Sequence, residues 1–241
     1  MNTPRYTLLQ VRNRDDPMRE HEREAFARVL ETTLEEIQIF DLLSREADDH
    51  LFAETDMFLL GGSGHYSAAG KGEWLERALD TLRTVHQSGT PTFASCWGFQ
   101  AMARAMGGQV IKDLSRAEVG THELFLTDAG REDPVFGPLG DMFLGQMGHE
   151  DRVVELPPNA TLLASSPLVE NQAYRFNDRP IYCTQFHPEL CRDDLMDRVK
   201  TYPEYIVRIA KMPSDEFCDT IQETRESEGV LKRFVAMIFG D

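Results

Sequence analysis

Cys96 stands where a short apolar segment meets a run of small, helix-favouring residues, within the stretch PTFASCWGFQAMARAMGG (residues 91–108). In a sharp strand-to-helix turn, a nucleophile adopts a strained backbone conformation, and small neighbours such as Ala94 and Gly98 let strand and helix approach closely. A helix that begins at Trp97 would direct its N-terminal N–H groups at the sulfur and favour the reactive thiolate. A small thiol buried at the end of a core strand fits the same stretch at least as well, because free cysteine is among the most buried residue types.

A candidate base for this cysteine lies near the other end of the chain, in the stretch IYCTQFHPEL, which contains His187 and Glu189. Residues two apart in an extended chain point to the same side, so the Glu189 carboxylate can reach the His187 imidazole and fix its tautomer. Pro188 lacks an N–H and marks a strand end, where side chains can face a cleft. Taken separately, a surface histidine and a solvated carboxylate are the simpler interpretations. Together with Cys96 they supply a nucleophile, a base and an orienting acid, which favours catalysis.

The glycine-rich segment LLGGSGHYS follows an apolar strand, and glycine-rich loops can bind phosphate. The spacing from Gly64 to Gly70 and Lys71 has one residue too many for a P-loop, and no serine or threonine follows the lysine. Backbone N–H groups of such a loop can instead hold the oxyanion of an acyl-transfer reaction. The loop therefore predicts an oxyanion site rather than nucleotide binding.

The three motifs occur in the order LLGGSG, SCWGFQ and QFHPE, and this combination resembles the class I, or triad-type, glutamine amidotransferase domain. The resemblance extends over residues 6–190. It implies that Cys96 is the nucleophile, that His187 is the general base and acid, and that Glu189 orients the histidine. The implied reaction is hydrolysis of the γ-carboxamide of glutamine through a thioester on Cys96, with neither a metal ion nor a cofactor.

The resemblance also implies roles for residues around the three motifs. Gly62 and Trp97 would supply the backbone N–H groups of the oxyanion hole, and Gly61 and Gln100 would bind or border the substrate. The segment GHED is similar to a Ser-His-Gly-Asp segment in the amidotransferase part of GMP synthetases, which implies a substrate-side role for His149. A capped turn before the following strand is the alternative interpretation of that segment.

Apolar periodicity predicts the elements that position these residues. Strands are predicted at residues 5–11, 37–42, 56–62 and 90–95, with helices after residue 17, around 75–85 and over 97–107. Short strands follow up to residue 186, and the chain after His187 is again helical. The alternation predicts an α/β fold: an open, mostly parallel, flavodoxin-like sheet with helices on both faces, a small antiparallel β portion and a C-terminal helical extension. Ligands bind beyond the carboxyl ends of parallel strands, where the glycine loop and Cys96 are expected.

Length and composition limit the classes of function. No linker or repeat interrupts the 241 residues, so we expect an amidotransferase-like domain at 1–190 with the extension, 191–241, packed on it. With 25 basic and 41 acidic side chains the formal charge is −16, which disfavours nucleic acid and membrane surfaces as partners. The sequence shows no secretory leader and no apolar run of about eighteen residues, so a cytoplasmic protein is expected. The four cysteines form neither a zinc-site nor a disulfide pattern.

Two main functions remain open, and a third is weaker. The first is an amidotransferase subunit that releases ammonia from glutamine for a separate synthetase, similar to the glutaminase part of GMP synthetases. The second is a self-sufficient hydrolase of γ-glutamyl peptides, because the layout also resembles plant γ-glutamyl peptidases. The third is a non-catalytic binding protein on the same fold, which an intact triad disfavours. The helical extension could stabilise the sheet or form a homodimer surface.

Overall fold

The computed structural model describes residues 4–240, which form a nine-stranded mixed sheet, a separate two-stranded sheet and eight α-helices. The strands are β1 (Tyr6–Gln10), β2 (Ile37–Asp41), β3 (Met57–Leu60), β4 (Thr92–Ser95), β5 (Gln109–Lys112), β6 (Glu118–Leu126), β7 (Met142–His149), β8 (Asp151–Glu155), β9 (Ala160–Ser165), β10 (Ala173–Phe176) and β11 (Ile181–Thr184). The helices are α1 (Met18–Leu30), α2 (Asp49–Ala53), α3 (Glu73–Ser88), α4 (Trp97–Ala105), α5 (Asp128–Glu132), α6 (Arg192–Thr201), α7 (Ser214–Thr220) and α8 (Arg225–Phe239). Residues 1–3 and 241, which the predicted domain and extension include, lie outside the described residues.

The first half of the large sheet is parallel and has the order β2-β1-β3-β4-β11. Its registers include Tyr6 opposite Met57 and Ser95 opposite Thr184. Every residue of β3 and β4 is buried, as expected for central parallel strands that helices cover on both faces. The predicted α/β class is confirmed by this half of the sheet.

The second half of the sheet is antiparallel and continues through β10, β9, β6 and β7. The predicted antiparallel portion is therefore an extension of the main sheet, and only β5 and β8 pair separately among residues 4–240. Four of the numbered elements in the described chain were absent from the sequence prediction: α2, β5, α5 and β7. The strands predicted between residues 108 and 186 correspond to β6, β8, β9, β10 and β11.

Helices cover the two faces of the sheet with separate apolar clusters. Phe26 of α1 and Phe234 of α8 pack on one face, together with alternate residues of the central strands. Leu75 of α3 and Phe99 of α4 pack on the other. The helical stripe that the sequence predicts near the C-terminus contributes Leu231 and Phe234 to the first cluster as fully buried side chains. Within residues 4–240, each helix is too short or too polar to span a bilayer.

The C-terminal segment forms a third apolar cluster against α1 and β6. Leu195 and Val199 of α6 lie there with Ile206 of a π-helical turn (Ile206–Ala210) and Phe217 of α7. This cluster places α6 close to the carboxyl ends of the parallel strands, since Leu190, only a few residues after β11, belongs to it. The C-terminal segment therefore borders the edge of the sheet at which the motif residues lie.

Candidate active site

Three neighbouring strands, β3, β4 and β11, carry the predicted site residues at the same edge of the sheet. Gly61 and Gly62 follow β3, Cys96 follows β4, and His187 and Glu189 lie shortly after β11. Parallel pairing of these strands brings together segments that are remote in the sequence. The structure therefore assembles the three motifs into one region.

Cys96 occupies a sharp turn between β4 and α4, with φ 51° and ψ −104°, which is a strained conformation for a residue other than glycine. Its N–H donates to the Thr184 carbonyl at 2.8 Å, and the Gly98 N–H donates to the Gly61 carbonyl at 3.2 Å. A Cβ at Gly98 would lie 2.5 Å from the Cβ of Leu60, so a side chain there would push the helix away from the strand. The turn thus has the shape that its small neighbours predict, and it presents the thiol at the N-terminus of α4.

His187 and Glu189 are buried and joined by a hydrogen bond of 2.6 Å from Nδ1 to Oε1. Because Nδ1 donates to the carboxylate, the other ring nitrogen is left for Cys96, whose sulfur is near enough to the imidazole to raise its pKa. The Cys96 Sγ itself lies 3.7 Å from the Gly148 carbonyl oxygen. Burial lowers the pKa of His187, but the Glu189 carboxylate and the Cys96 sulfur outweigh it and raise the pKa to about 9. Burial acts to raise the pKa of Glu189, yet the charge of His187 holds it below its usual range. The three side chains therefore lie together, with a cationic imidazole held against the Glu189 carboxylate and beside the Cys96 sulfur.

A buried network of charged side chains lies behind this trio, and no pattern in the sequence predicts it. Glu22 of α1 is fully buried and accepts a hydrogen bond of 3.1 Å from Nη2 of Arg12. Arg198 of α6 places its Nη2 3.6 Å from Glu22 and 3.9 Å from Glu189. Burial lowers the pKa of Arg12, but Glu22 outweighs this effect and raises it above its ordinary value. Through Arg198, which is near both Glu22 and Glu189, the network links α1 and α6 electrostatically to the His187–Glu189 pair.

The two predicted oxyanion donors differ in their surroundings. Trp97 is the first residue of α4, so its backbone N–H has no acceptor within the helix. The Gly62 N–H donates to Oε1 of Glu22 at 2.9 Å. An added Cβ at the preceding residue, Gly61, would collide with the same Glu22 carboxylate. In this structure the N–H of Gly62 is therefore committed to a carboxylate, whereas that of Trp97 is not bonded within its helix.

Gln100 and His149 are the other two predicted substrate residues. Both side chains contact the backbone carbonyl of Asp151. The Nε2 of Gln100 donates to the Asp151 carbonyl at 2.9 Å and to Oε1 of Gln185 at 3.1 Å. The Nδ1 of His149 lies 3.0 Å from the Asp151 carbonyl, and its Nε2 lies 3.0 Å from Oε2 of Glu118. Both ring nitrogens of His149 thus have protein partners, although the residue lines a cavity beside Cys96.

Two cavities have Cys96 in their walls. The His187 cavity, of about 60 Å³, is lined by His187, Arg198, Tyr202 and Tyr205 among others. The Gln100 cavity, of about 70 Å³, is lined by Gln100, Lys112, His149 and Glu150 among others. Cys96, Ser63, Gly64, Gly148 and Tyr205 belong to the walls of both. A group bound in either cavity would therefore lie beside Cys96, whereas Gly61 lines neither of them.

The protein combines an open α/β sheet with a buried cysteine on a strained strand-to-helix turn, beside a histidine–carboxylate pair. These features define a class of α/β proteins whose candidate nucleophile is a cysteine at such a turn. The sequence profile of Glutamine amidotransferase class-I matches residues 23–194. This match covers well over half of the chain, and the chain belongs to that family.

Relatives agree with this membership, and a solved structure shares the fold. Gamma-glutamyl peptidase 3 of Arabidopsis thaliana is 27% identical over 188 residues, which cover 75% of this chain and 71% of the relative. A subunit of the glutamine-hydrolyzing GMP synthase from Methanothermobacter thermautotrophicus is 32% identical over 121 residues, which cover 50% of this chain and 63% of the relative. A glutamine amidotransferase from Thermotoga maritima has a TM-score of 0.77 at 18% identity, covering 98% of this chain and 99% of that one. The fold is therefore shared along almost the whole chain.

Proposed function

We propose that this chain hydrolyses a γ-glutamyl amide through a thioester on Cys96, with glutamine as the simplest substrate and ammonia as its leaving group. The observation that carries the proposal is the proximity of the Cys96 thiol to a buried His187 that Glu189 keeps cationic. A thiolate and an imidazolium are the nucleophile and the proton donor that acyl transfer from an amide requires. Membership in the class-I glutamine amidotransferase family supports the same class of reaction.

The proposed reaction has two halves. In the first, the Cys96 sulfur attacks the γ-carbonyl carbon, the C–N bond breaks, and His187 gives its proton to the leaving nitrogen. The amine departs and a γ-glutamyl thioester remains on Cys96. In the second, neutral His187 removes a proton from water as the water oxygen attacks the thioester, so that glutamate leaves and the thiolate–imidazolium pair is restored. Glu189 remains ionised throughout and orients the imidazole.

The oxyanion of each tetrahedral intermediate needs preorganised N–H donors. In the proposed mechanism Trp97 supplies one donor from the N-terminus of α4, where the helix dipole also favours negative charge. Gly62 supplies the second donor when its N–H exchanges the Glu22 carboxylate for the oxyanion. The hydrogen bond of 2.9 Å between Gly62 and Glu22 is thus the contact that the substrate must replace.

The position of His187 assigns the two cavities to the two parts of the substrate. His187 lines the first cavity and not the second. Because His187 protonates the leaving nitrogen, the leaving group occupies the His187 cavity and the γ-glutamyl part occupies the Gln100 cavity. Lys112 and Glu150 lie in the wall of the Gln100 cavity and pair with each other at 2.7 Å, and the α-carboxylate and α-ammonium groups of a glutamyl moiety could join this pair.

The two leading hypotheses differ in the fate of the released ammonia or amine. A separate synthetase is proposed as the acceptor of ammonia, because several relatives are subunits of glutamine-hydrolyzing GMP synthases. Hydrolysis of γ-glutamyl peptides without a partner is the second candidate. It is favoured by Arg198, which lines the leaving-group cavity and whose Nη2 makes ion-pair contacts, although neither Nη2 nor Nε makes a hydrogen bond. The Arabidopsis relatives named γ-glutamyl peptidases support the same candidate.

The test is to measure ammonia release from glutamine and cleavage of glutathione-like γ-glutamyl peptides by the purified chain alone. Cys96→Ala should lower either activity by more than about 10³-fold, because the thioester cannot form. Cys218→Ala, which changes a free cysteine outside the site, is the matched control and should retain activity. Full activity in Cys96→Ala, or no hydrolysis of either substrate even with a synthetase added, would contradict the proposed function.

A further inference from the structure

The cavity beside His187 is walled by the C-terminal segment. Five of its lining residues come from that segment: Leu195, Arg198, Val199, Tyr202 and Tyr205. Arg198 and both tyrosines also lie beyond residues 23–194, which the family profile matches. Family membership alone therefore does not account for this wall of the proposed leaving-group site.

Arg198 differs from the rest of this wall, because its guanidinium is buried without a hydrogen-bond acceptor. The side chain is only 9% exposed, and neither Nε nor Nη2 has a hydrogen-bond partner. Nη2 approaches Glu22 to 3.6 Å and Glu189 to 3.9 Å, which are ion-pair distances but too long for hydrogen bonds. Nη1 lies 3.4 Å from Nδ1 of His187, but that nitrogen donates to Glu189 and cannot accept. Hydrogen bonds to a buried cation are strong, so a polar group in the cavity that Arg198 lines would gain by accepting from its guanidinium.

The other polar groups of this wall are already engaged. Arg12 is hydrogen-bonded to two acidic side chains and to Tyr202. The Tyr202 hydroxyl donates to Asp16, and the Tyr205 hydroxyl donates to a backbone carbonyl of the glycine loop. The other lining residues of α6 are apolar. Arg198 is therefore the side chain through which the C-terminal wall can recognise a polar group.

The guanidinium and its distance to His187 determine which acceptor would fit the cavity. A carboxylate matches a guanidinium well, because its two oxygens can accept two parallel N–H groups. In an α-amino acid, only one carbon separates the carboxylate from the amine nitrogen. When that nitrogen receives the proton of His187, the carboxylate lies within reach of Arg198, whose Nη1 is 3.4 Å from the same ring.

The size of the cavity limits the amino acid. The His187 cavity measures about 60 Å³. One water-sized group needs about 10–15 Å³ by this measure, so the cavity holds roughly five such groups. Glycine or an amino acid of similar size fits within this space, whereas a large side chain would have to extend through its open mouth.

We propose that the site prefers γ-glutamyl derivatives of small α-amino acids, and that Arg198 binds the carboxylate of the departing amino acid in the His187 cavity. This proposal rests on the proposed function, because it requires Cys96 to attack a γ-glutamyl amide. It gives the C-terminal segment a role in selecting the leaving group.

The test compares γ-glutamylglycine, γ-glutamylglycinamide and glutamine as substrates of the full chain. The first two differ only in a carboxylate against a carboxamide, and wild-type kcat/KM should favour the carboxylate by on the order of 10- to 100-fold. Arg198→Met should bring this ratio close to one, and Arg198→Lys, which keeps the charge but not the paired N–H groups, should retain part of it. Lys200→Met removes an exposed cation from the same helix and should leave the ratio unchanged.

The ratio between the two substrates is decisive, because damage to the fold or to His187 lowers both rates alike. Equal wild-type rates on γ-glutamylglycine and γ-glutamylglycinamide would overturn the proposal, as would a common loss on both in Arg198→Met. Hydrolysis of glutamine without hydrolysis of γ-glutamylglycine would also overturn it, with the Arg198 donors then filled by water, and would leave the proposed function standing. Hydrolysis of none of the three substrates, even with a synthetase added, would overturn the proposed function as well.

Discussion

The backbone N–H of Gly62 donates a hydrogen bond to the fully buried carboxylate of Glu22, with 2.9 Å between the nitrogen and Oε1. Glu22 lies on α1, and the same carboxylate accepts hydrogen bonds from Gln10 and Arg12. A helix that carries none of the three motifs therefore holds the glycine loop in place. The conformation of the proposed oxyanion loop thus depends on a charge pair that is remote from it in the sequence.

Glu22→Gln should lower the free energy of unfolding by about 3 kcal/mol, because it removes one charge of a buried ion pair and leaves Arg12 undercompensated. Asp16 still contacts Arg12, which limits the loss. Urea denaturation of wild type and variant measures the difference. Glu24→Gln removes an exposed carboxylate from the same helix and should change stability by less than about 0.5 kcal/mol. Equal losses in the two variants would contradict a specific role for the Glu22–Arg12 pair.

Gly98→Ala should destabilise the turn at Cys96, because the new Cβ would lie 2.5 Å from the Cβ of Leu60 and 3.2 Å from that of Ala94. Overpacking of this kind costs about 1–3 kcal/mol, and a shift of α4 displaces the thiol. The free energy of unfolding and kcat should both fall. Gly148→Ala is the matched control for stability, since a Cβ there meets nothing within 4 Å. A loss of stability in Gly148→Ala as large as in Gly98→Ala would contradict this explanation.

The region in which Gly62, Cys96 and His187 meet could be predicted from the sequence, because strong local patterns precede each of them. The central strands β3 and β4 are buried at every position, so short apolar runs identify them. Parallel strands end at the same edge of a sheet, which brings their following loops together. The sequence pattern and the parallel topology were therefore sufficient to predict that these three residues meet at one edge of the sheet.

The charged network behind the site could not be predicted in this way. Arg12, Glu22 and Arg198 each stand among other charged or polar residues and resemble solvent-exposed positions in the sequence. These residues are buried because they form ion pairs that join α1, the loop after β1 and α6. Ion pairs between remote segments leave no periodic pattern in the sequence. The free Arg198 donors follow from that pairing too, so the proposed leaving-group site became visible only in the structure.

Some elements were missed for local reasons. The alternation of β7 is interrupted by Gly145 and Gly148, and glycine is depleted in strands. Gly145 is nevertheless required there, because a Cβ would lie 2.7 Å from Cδ1 of Leu124 on the paired strand. Helix α2 has five residues, which are too few to show a helical period. These omissions changed the strand count but not the edge at which the site lies.

Glu189→Gln should reduce kcat less than Cys96→Ala or His187→Ala, because Glu189 orients the imidazole and forms no bond with the substrate. Removing the orienting carboxylate of such a triad costs on the order of 10⁴-fold, against about 10⁶-fold for the nucleophile or the base. Steady-state ammonia release from saturating glutamine measures the three losses. Urea denaturation of each variant controls for unfolding. An equal or larger loss in Glu189→Gln would contradict an orienting role.

The imidazole of His187 should remain protonated above neutral pH. Burial lowers the pKa of His187, but Glu189 and Cys96 outweigh it and raise the pKa to about 9. Because this folded-state pKa lies above the ordinary value of 6.5, the stabilisation is complete below pH 6.5 and is lost as the pH rises towards 9. The lowered pKa of Glu189 keeps that carboxylate ionised throughout this window. The free energy of unfolding should therefore fall by on the order of 3 kcal/mol across it.

A titration of the His187 ring protons by NMR measures this pKa directly, and Glu189→Gln is the matched variant. Without the carboxylate the lowering effect of burial is opposed by Cys96 alone, so the midpoint in Glu189→Gln should move well below that of wild type. The difference in stability between wild type and variant should be largest below pH 6.5 and should shrink towards pH 9, since other titrating groups affect both proteins alike. A wild-type midpoint at or below 6.5, or a stability difference that grows as the pH rises, would contradict a buried ion pair between His187 and Glu189.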